Sequence, residues 1–295
     1  MGWIRKWFYY FSPWFFFIRL LVDRCRGVKR FYIVWNRGLG DLPLGLYGLN
    51  HRIKEVIKDA QIIYITRQDL YEGFSMLPGC RAIVDPAMKR AQSHQLGQLP
   101  DDLKFRTINN PQPTRWLRHQ IGRLMPRLEL QGIHPNPIKT FIALHTDTET
   151  GAYYGYEKNW PVVHFQELIQ RLNRHNIQPL IIGLKKTEDF SHLQVQDLRG
   201  ELSIKEVLKV ILERCAAVVA PDSGILSLLY YIDVDVPLKL ISFWSDPCQG
   251  ILKQRVPSPN QQLLHVPLVK KDLKQLSVDA IFFELNEIIS KENYP

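Results

Sequence analysis

Residues 215–232, CAAVVAPDSGILSLLYYI, decide how this chain is read. An apolar, β-branched run stops at Pro221-Asp222-Ser223-Gly224, and an apolar run of helical character begins without delay. A strand that gives way to small polar residues and then to a helix leaves the first backbone N–H groups of that helix without intrahelical acceptors. The helix dipole adds partial positive charge at the same point, so the turn suits a phosphate or diphosphate. The plainer alternative is an ordinary β–α turn with Asp222 or Ser223 as N-cap. Asp222 does not suit a pure anion site, which suggests a role in orienting hydroxyls or the loop itself.

Strands and helices alternate outward from this point. Downstream lie a strand over residues 238–243 and a closing helix from Ser277, with Ile281, Phe282, Leu285, Ile288 and Ile289 on its inner face. Upstream, Ser203-Ile204-Lys205-Glu206 is a capping box that opens a helix to Arg214. Residues 180–182 and 140–144 read as strands, and Pro161 starts a helix with Phe165, Leu168, Ile169 and Leu172 on one face. The first half repeats the scheme with strands at residues 31–35, 62–65 and 82–84. After its first strand comes the turn Asn36-Arg37-Gly38-Leu39-Gly40-Asp41, then Leu42, Leu46, Leu49, Ile53, Val56 and Ile57 at helical spacing. Residues 112–130 carry Arg115, Arg118, Arg123 and Arg127 among apolar residues and read as a basic amphipathic helix ended near Pro126. Residues 133–139, with Pro135 and Pro137, read as a stiff linker.

The expected fold is α/β: two doubly wound, Rossmann-like parallel-sheet domains, residues 28–135 and 136–295. Their strand ends would face a cleft. A length of 295 residues supports two cores, and 45% hydrophobic with 23% charged residues is the composition of a folded chain. Cys25, Cys80, Cys215 and Cys248 form no C-x-x-C pair, so neither a disulfide framework nor a zinc site is indicated, and a reducing compartment is expected.

The net charge of +9 is concentrated at the start of the chain, where seven Lys and Arg residues before position 31 meet Asp23 alone. Ten aromatic residues crowd the span from Trp3 to Phe17. The apolar run is short of the roughly 20 residues a spanning helix needs, and no small-residue cleavage site follows it. Trp and Tyr favour the headgroup level, and flanking cations are drawn to anionic lipid. Residues 1–27 are therefore expected to be an interfacial, membrane-associating segment. The alternative is that these rings pack on the protein's own body or at a dimer contact. A nucleic-acid partner is not expected, because the charge is interleaved with bulky apolar residues and no nucleic-acid motif is present.

Two further places would bring polar groups to the cleft. Gly38-Leu39-Gly40-Asp41 is not the dinucleotide fingerprint, since Pro43 stands at the third glycine position. Asp41 is left at a helix start, either with its carboxylate exposed or simply as an N-cap. Glu157-Lys158-Asn159-Trp160-Pro161 precedes a helix, and Lys158 there is either a phosphate partner or a solvated loop lysine. Asp233-Val234-Asp235 matches a D-x-D metal motif but falls between a helix and the next strand and reads as a solvated turn. No metal site and no cofactor are expected.

Taken together, these segments resemble glycosyltransferase family 9, the ADP-heptose:lipopolysaccharide heptosyltransferases. The resemblance rests on Gly40-Asp41, Lys158-Asn159-Trp160-Pro161, Asp222-Ser223-Gly224, Val236-Pro237 and Phe243-Trp244-Ser245-Asp246-Pro247 in the family's order, with Asp197-Leu198-Arg199-Gly200 and Ser203 similar to its D-L-x-G-x-x-S run. It implies a GT-B fold and inverting, metal-free transfer of a sugar, heptose by implication, from a nucleotide-diphosphate sugar such as an ADP-sugar. The acceptor it implies is lipopolysaccharide-type or lipid-linked, an anionic glycolipid. Asp41 would be the general base, with Gly40, Arg115 and Arg118 on the acceptor side. Lys158, Asp222, Ser223 and Gly224 would hold the donor diphosphate. Two departures fall at the donor site: Ser227 stands where the family has histidine, and Trp244 replaces a glycine in a shortened loop. A transferase for a different nucleotide sugar, or a non-catalytic binding member, are the alternatives. The expected location is peripheral, on the cytoplasmic face of a bacterial inner membrane.

Overall fold

The computed structural model describes residues 3–90, 92, 104–111, 124–148 and 155–292. It divides into two compact units, residues 1–129 with 254–257 and residues 130–253 with 258–295. Each is built on one wholly parallel sheet.

The first unit opens with helix α1 (Trp3–Cys25) and follows with β1 (Arg30–Trp35), α2 (Tyr47–Val56), β2 (Gln61–Thr66), α3 (Gln68–Ser75), β3 (Cys80–Val84) and β4 (Phe105–Asn109). The strand order is β3-β2-β1-β4. Phe31 to Trp35 of β1 are all buried, as a central parallel strand with both faces covered requires. Tyr32, Val34, Ile63, Ile65 and Met88 make the core on one face. On the other face, the Tyr64 hydroxyl donates to Asn50 Oδ1 at 2.6 Å, a buried contact between β2 and α2.

The second unit contains β5 (Phe141–His145), α4 (Val162–Arg174), β6 (Gln178–Ile182), β7 (Gln196–Asp197), α5 (Ile204–Arg214), β8 (Cys215–Pro221), α6 (Gly224–Tyr231), β9 (Leu238–Trp244), α7 (Gly250–Gln254), β10 (Leu263–Val269) and α8 (Val278–Glu292). Its order is β10-β9-β8-β5-β6-β7. The chain leaves β5 in one direction and returns to β8 to run in the other, so β5 and β8 flank the topological switch point at which open α/β sheets bind ligands. Trp160, Phe165 and Phe243 pack edge to face and tilted in the core, and Trp160 Nε1 donates to the Leu276 carbonyl at 2.8 Å.

The alternation expected from the sequence is present, and the capping box is formed. Ser203 Oγ accepts from the Glu206 N–H, while Glu206 accepts from the Ser203 N–H at 2.8 Å. Two expectations change. Residues 124–130, the last part of the stretch read as a helix over 112–130, are not helical: Leu128 is buried and the Glu129 N–H donates to the Met76 carbonyl at 2.9 Å. Pro126 has no N–H to give a helix, and the chain bonds to the first unit instead. Residues 112–123, with Arg115 and Arg118, lie outside the described residues. Asp41 does not cap a helix through its side chain; the segment after it is a π-helical turn, Leu42–Leu46, that leads into α2. Ser203→Ala removes the cap of α5 and is expected to cost about 1 kcal/mol, read as a lower urea midpoint with an unchanged m-value.

Candidate functional site

The switch point of the second unit is held by one polar contact. His145 ends β5, Ser223 follows β8, and His145 Nδ1 lies 3.1 Å from Ser223 Oγ. Ser223 is also the N-cap of α6, accepting from the Leu226 N–H at 3.1 Å. That leaves the N–H groups of Gly224 and Ile225 without intrahelical acceptors at the start of an eight-residue helix. Thr146, next along from His145, has a buried hydroxyl with no hydrogen-bond partner among the described residues. The carboxyl edge of this sheet therefore gathers donors at one place.

Asp222 sits immediately before the cap and is buried, and so is Lys158, whose Nζ is 2.9 Å from Asp222 Oδ2. The Tyr156 hydroxyl donates to the same oxygen, and Lys158 lies 4.8 Å from the centre of the Tyr156 ring. This contact answers the question Asp222 raised in the sequence. Its carboxylate is paired with an ammonium and accepts from a phenol, so the helix start faces a compensated pair rather than a bare negative charge. Gly250, at φ 47 in the left-handed region, closes over it: a Cβ there would come within 2.6 Å of Asp222 Oδ1 and 2.7 Å of the Trp244 ring.

The loop after β9 is fastened to the lysine loop. Ser245 Oγ donates to the Glu157 carbonyl, and Asp246 accepts from the Cys248 N–H at 2.8 Å to form the turn into α7. The structure thus brings together Lys158, Asp222, Ser223, Gly224 and Trp244 in one unit. Two of the expected donor residues present their side chains inward. Ser227 donates to the Ser223 carbonyl at 3.1 Å within α6, and Trp244 is 1% exposed with Nε1 on Ser242 Oγ at 2.7 Å. Asp235 accepts from Gln262 at 2.6 Å in an exposed turn. At the far edge, Arg199 is held by Asp197 and the Glu188 carbonyl over the Phe190 ring.

The first unit carries Asp41 at the carboxyl end of β1. Trp35 Nε1 donates to the Gly38 carbonyl at 3.2 Å, fixing the turn. A Cβ at Gly38 would lie 3.2 Å from Asp41 Oδ2, so the absence of a side chain lets the carboxylate fold back over the turn. Leu39 packs against Gly73 of α3, where a Cβ would come within 2.5 Å of it. Gly40 supplies the carbonyl that accepts from the Leu44 N–H at 3.4 Å. Beside this turn, the buried Asn36 donates to the Lys89 and Gln92 carbonyls, and Arg67 donates to the Asn36 carbonyl.

Sequence reasoning passed over His145, Thr146, Tyr156 and Gly250 as site residues. His145 and Thr146 had one available signal, their place at the end of a strand bordering the switch point. Tyr156 and Gly250 had none, since both act across long stretches of chain on Asp222.

Residues 136–228 match the sequence model of glycosyltransferase family 9 (heptosyltransferase). The structure is similar to that of an E. coli ADP-heptose LPS heptosyltransferase II at 13% identity, with a TM-score of 0.52 over 90% of this chain and 99% of that one. It is also similar to a family 9 glycosyl transferase from Veillonella parvula at 11% identity, with a TM-score of 0.57 over 89% of this chain and 97% of that one. At these identities the structural likeness is one of fold. No curated protein matches the sequence. The match over residues 136–228 and the shared fold make the chain similar to the glycosyltransferases of family 9, as its motifs indicate.

The Lys158–Asp222 pair predicts a stability cycle. Lys158→Met leaves a buried carboxylate unpaired and is expected to cost about 3 kcal/mol. Adding Asp222→Asn should restore most of that loss, measured as urea midpoints. A pH dependence follows from two histidines, His145 buried and His265 half-buried. Burial lowers His145 to about 4, partly offset by a hydrogen bond with the Asp147 backbone. Burial likewise lowers His265, which contacts Ser242 Oγ, to about 4. Both are neutral when folded and gain protons near pH 6.5 when unfolded, so their stabilisation is complete above that pH and falls as pH drops toward 4. Between pH 7 and 5 each should cost on the order of 2 kcal/mol, read from the same denaturation curves.

Proposed function

We propose that this protein is an inverting glycosyltransferase that moves a sugar from a nucleotide-diphosphate donor, an ADP-sugar by family likeness, to a lipid-linked or lipopolysaccharide-type acceptor. The observation that carries the reading is the start of α6 at the switch point, with unspent N–H groups at Gly224 and Ile225 and Lys158 at hand. A leaving diphosphate accumulates negative charge as the glycosidic bond breaks, and preorganised donors aimed at that charge lower the barrier. In this reading Lys158 and the α6 N–H groups carry that task, and the transfer uses no metal. Asp222 holds the ammonium in place and, with Tyr156, fixes the loop that bears it.

Asp41 is the proposed general base, taking the proton of the acceptor hydroxyl as it attacks the anomeric carbon. A sugar hydroxyl is a weak acid, so the transfer is late and depends on placement more than on a tuned pKa. Inward-facing Ser227 and Trp244 act on the donor through the turn and the loop that they brace. The acceptor is presented at a membrane surface, with α1 as the interfacial element.

Asp41→Asn is expected to lower kcat by about 10²- to 10⁴-fold while leaving the donor-induced rise in melting temperature unchanged. Full activity in that variant would remove the mechanism. Thermal shifts with ADP-, UDP- and GDP-sugars should favour the ADP-sugar, and a preference for another nucleotide would remove the heptose assignment.

A further inference from the structure

Helix α1 shows two apolar sides. Trp14, Phe15, Ile18, Leu21 and Val22 are 40–65% exposed, and at 3.6 residues per turn they share an arc of about 120°. On the opposite side Leu20 and Asp23 are buried, and Asp23 is ion-paired with Arg106 of β4. The guanidinium of Arg52, on α2, stacks on Phe17 at 5.6 Å. One side of α1 is thus committed to the first unit, and the other is exposed, with no cover among the described residues.

The attachment has little slack. Gly27, at φ 74, ends the helix in the left-handed conformation; its N–H donates to the Arg24 carbonyl at 3.0 Å and the Val28 N–H donates to the Asp23 carbonyl at 2.9 Å. This pair of bonds is a Schellman stop, and β1 begins three residues later at Arg30. Lys104 Nζ also donates to the Arg26 carbonyl at 2.8 Å. Asp23 lies beside the start of β4, whereas Phe17 lies beside the middle of α2, which runs from the carboxyl edge of the sheet to its amino edge. The earlier residues of α1 therefore lie toward the carboxyl edge, the edge that carries Gly38 and Asp41.

An exposed apolar face of this kind marks an interaction surface. Arg19, Arg24 and Arg26 are exposed around it, which selects an anionic occupant. No helix among the described residues is long and apolar enough to cross a membrane. Aromatic and aliphatic side chains rimmed by cations match the headgroup boundary of an anionic bilayer.

We propose that α1 is a rigid seat on an anionic bilayer, its exposed face lying in the headgroup layer and its fixed attachment holding the Asp41 edge of the first unit at one distance from the lipid. The seat rests on the interfacial reading of α1 given above.

The test uses the full chain and vesicles of equimolar phosphatidylcholine and phosphatidylglycerol. The protein should float with these and not with phosphatidylcholine alone, and Trp14→Ser with Ile18→Ser, both exposed, should weaken binding at least about tenfold. Unchanged flotation of that variant overturns the seat. For the attachment, spin labels on Arg19→Cys and Lys58→Cys, with Cys25 and Cys248 changed to Ser, should give one narrow distance distribution on vesicles. A Gly-Ser-Gly-Ser insertion between Gly27 and Val28 should broaden it while flotation persists. A distribution already broad without the insertion overturns the rigid attachment. Neither readout involves sugar transfer, so failure here is distinguishable from failure of Asp41→Asn to lose activity.

Discussion

The buried pair of Lys158 and Asp222 is the contact on which the second unit's site depends. A carboxylate next to a helix start is favoured by the dipole but would repel the anion that the same helix start attracts. Pairing it with an ammonium removes the conflict, and the Tyr156 hydroxyl spreads the remaining charge. The pairing also joins residues 64 positions apart in the chain, so the lysine loop, the turn after β8 and the loop over Gly250 are fixed by one carboxylate. Removal of either charge would loosen all three segments together.

The same construction principle serves both units with different chemistry at the end of it. In each, a central strand with both faces buried delivers a polar turn at the carboxyl edge of a parallel sheet. In the second unit that turn ends in a capped helix start and offers N–H donors. In the first it ends in a π-helical turn and offers a carboxylate. One edge therefore presents N–H groups and the other a carboxylate, from the same strand-to-turn arrangement.

The strands and most helices were legible because their signals are local. The capping box at Ser203 and Glu206 needs only residues three apart, and the apolar face of α4 needs only a repeat of 3.6. Other features had no local signal. The partner of Asp222 is set by tertiary folding, and so is the inward turn of Trp244 onto Ser242, since a tryptophan at a strand end is equally suited to a pocket wall. The pattern from Leu42 to Ile57 reads as one continuous helix because a single π turn shifts the apolar phase by less than the width of the buried face. Strand β4 escaped because Phe105 to Asn109 alternates weakly, and its strand character comes from pairing with β1.

That π turn has a consequence for how the first unit's edge changes over evolutionary time. A π-helical turn is an α-helix carrying one residue to spare, held against the tendency of the ladder to return to regular spacing. Deleting one residue between Leu42 and Leu46 would let the segment close up as α-helix, and the flanking chain would keep nearly the same bearing, because the wider turn holds its extra residue locally. The loss would fall on packing instead, since all five residues of the turn are buried. Asp41 is thus insulated from a change of chain length just behind it, and a lineage with this fold could lose a single codon there without redirecting the carboxylate.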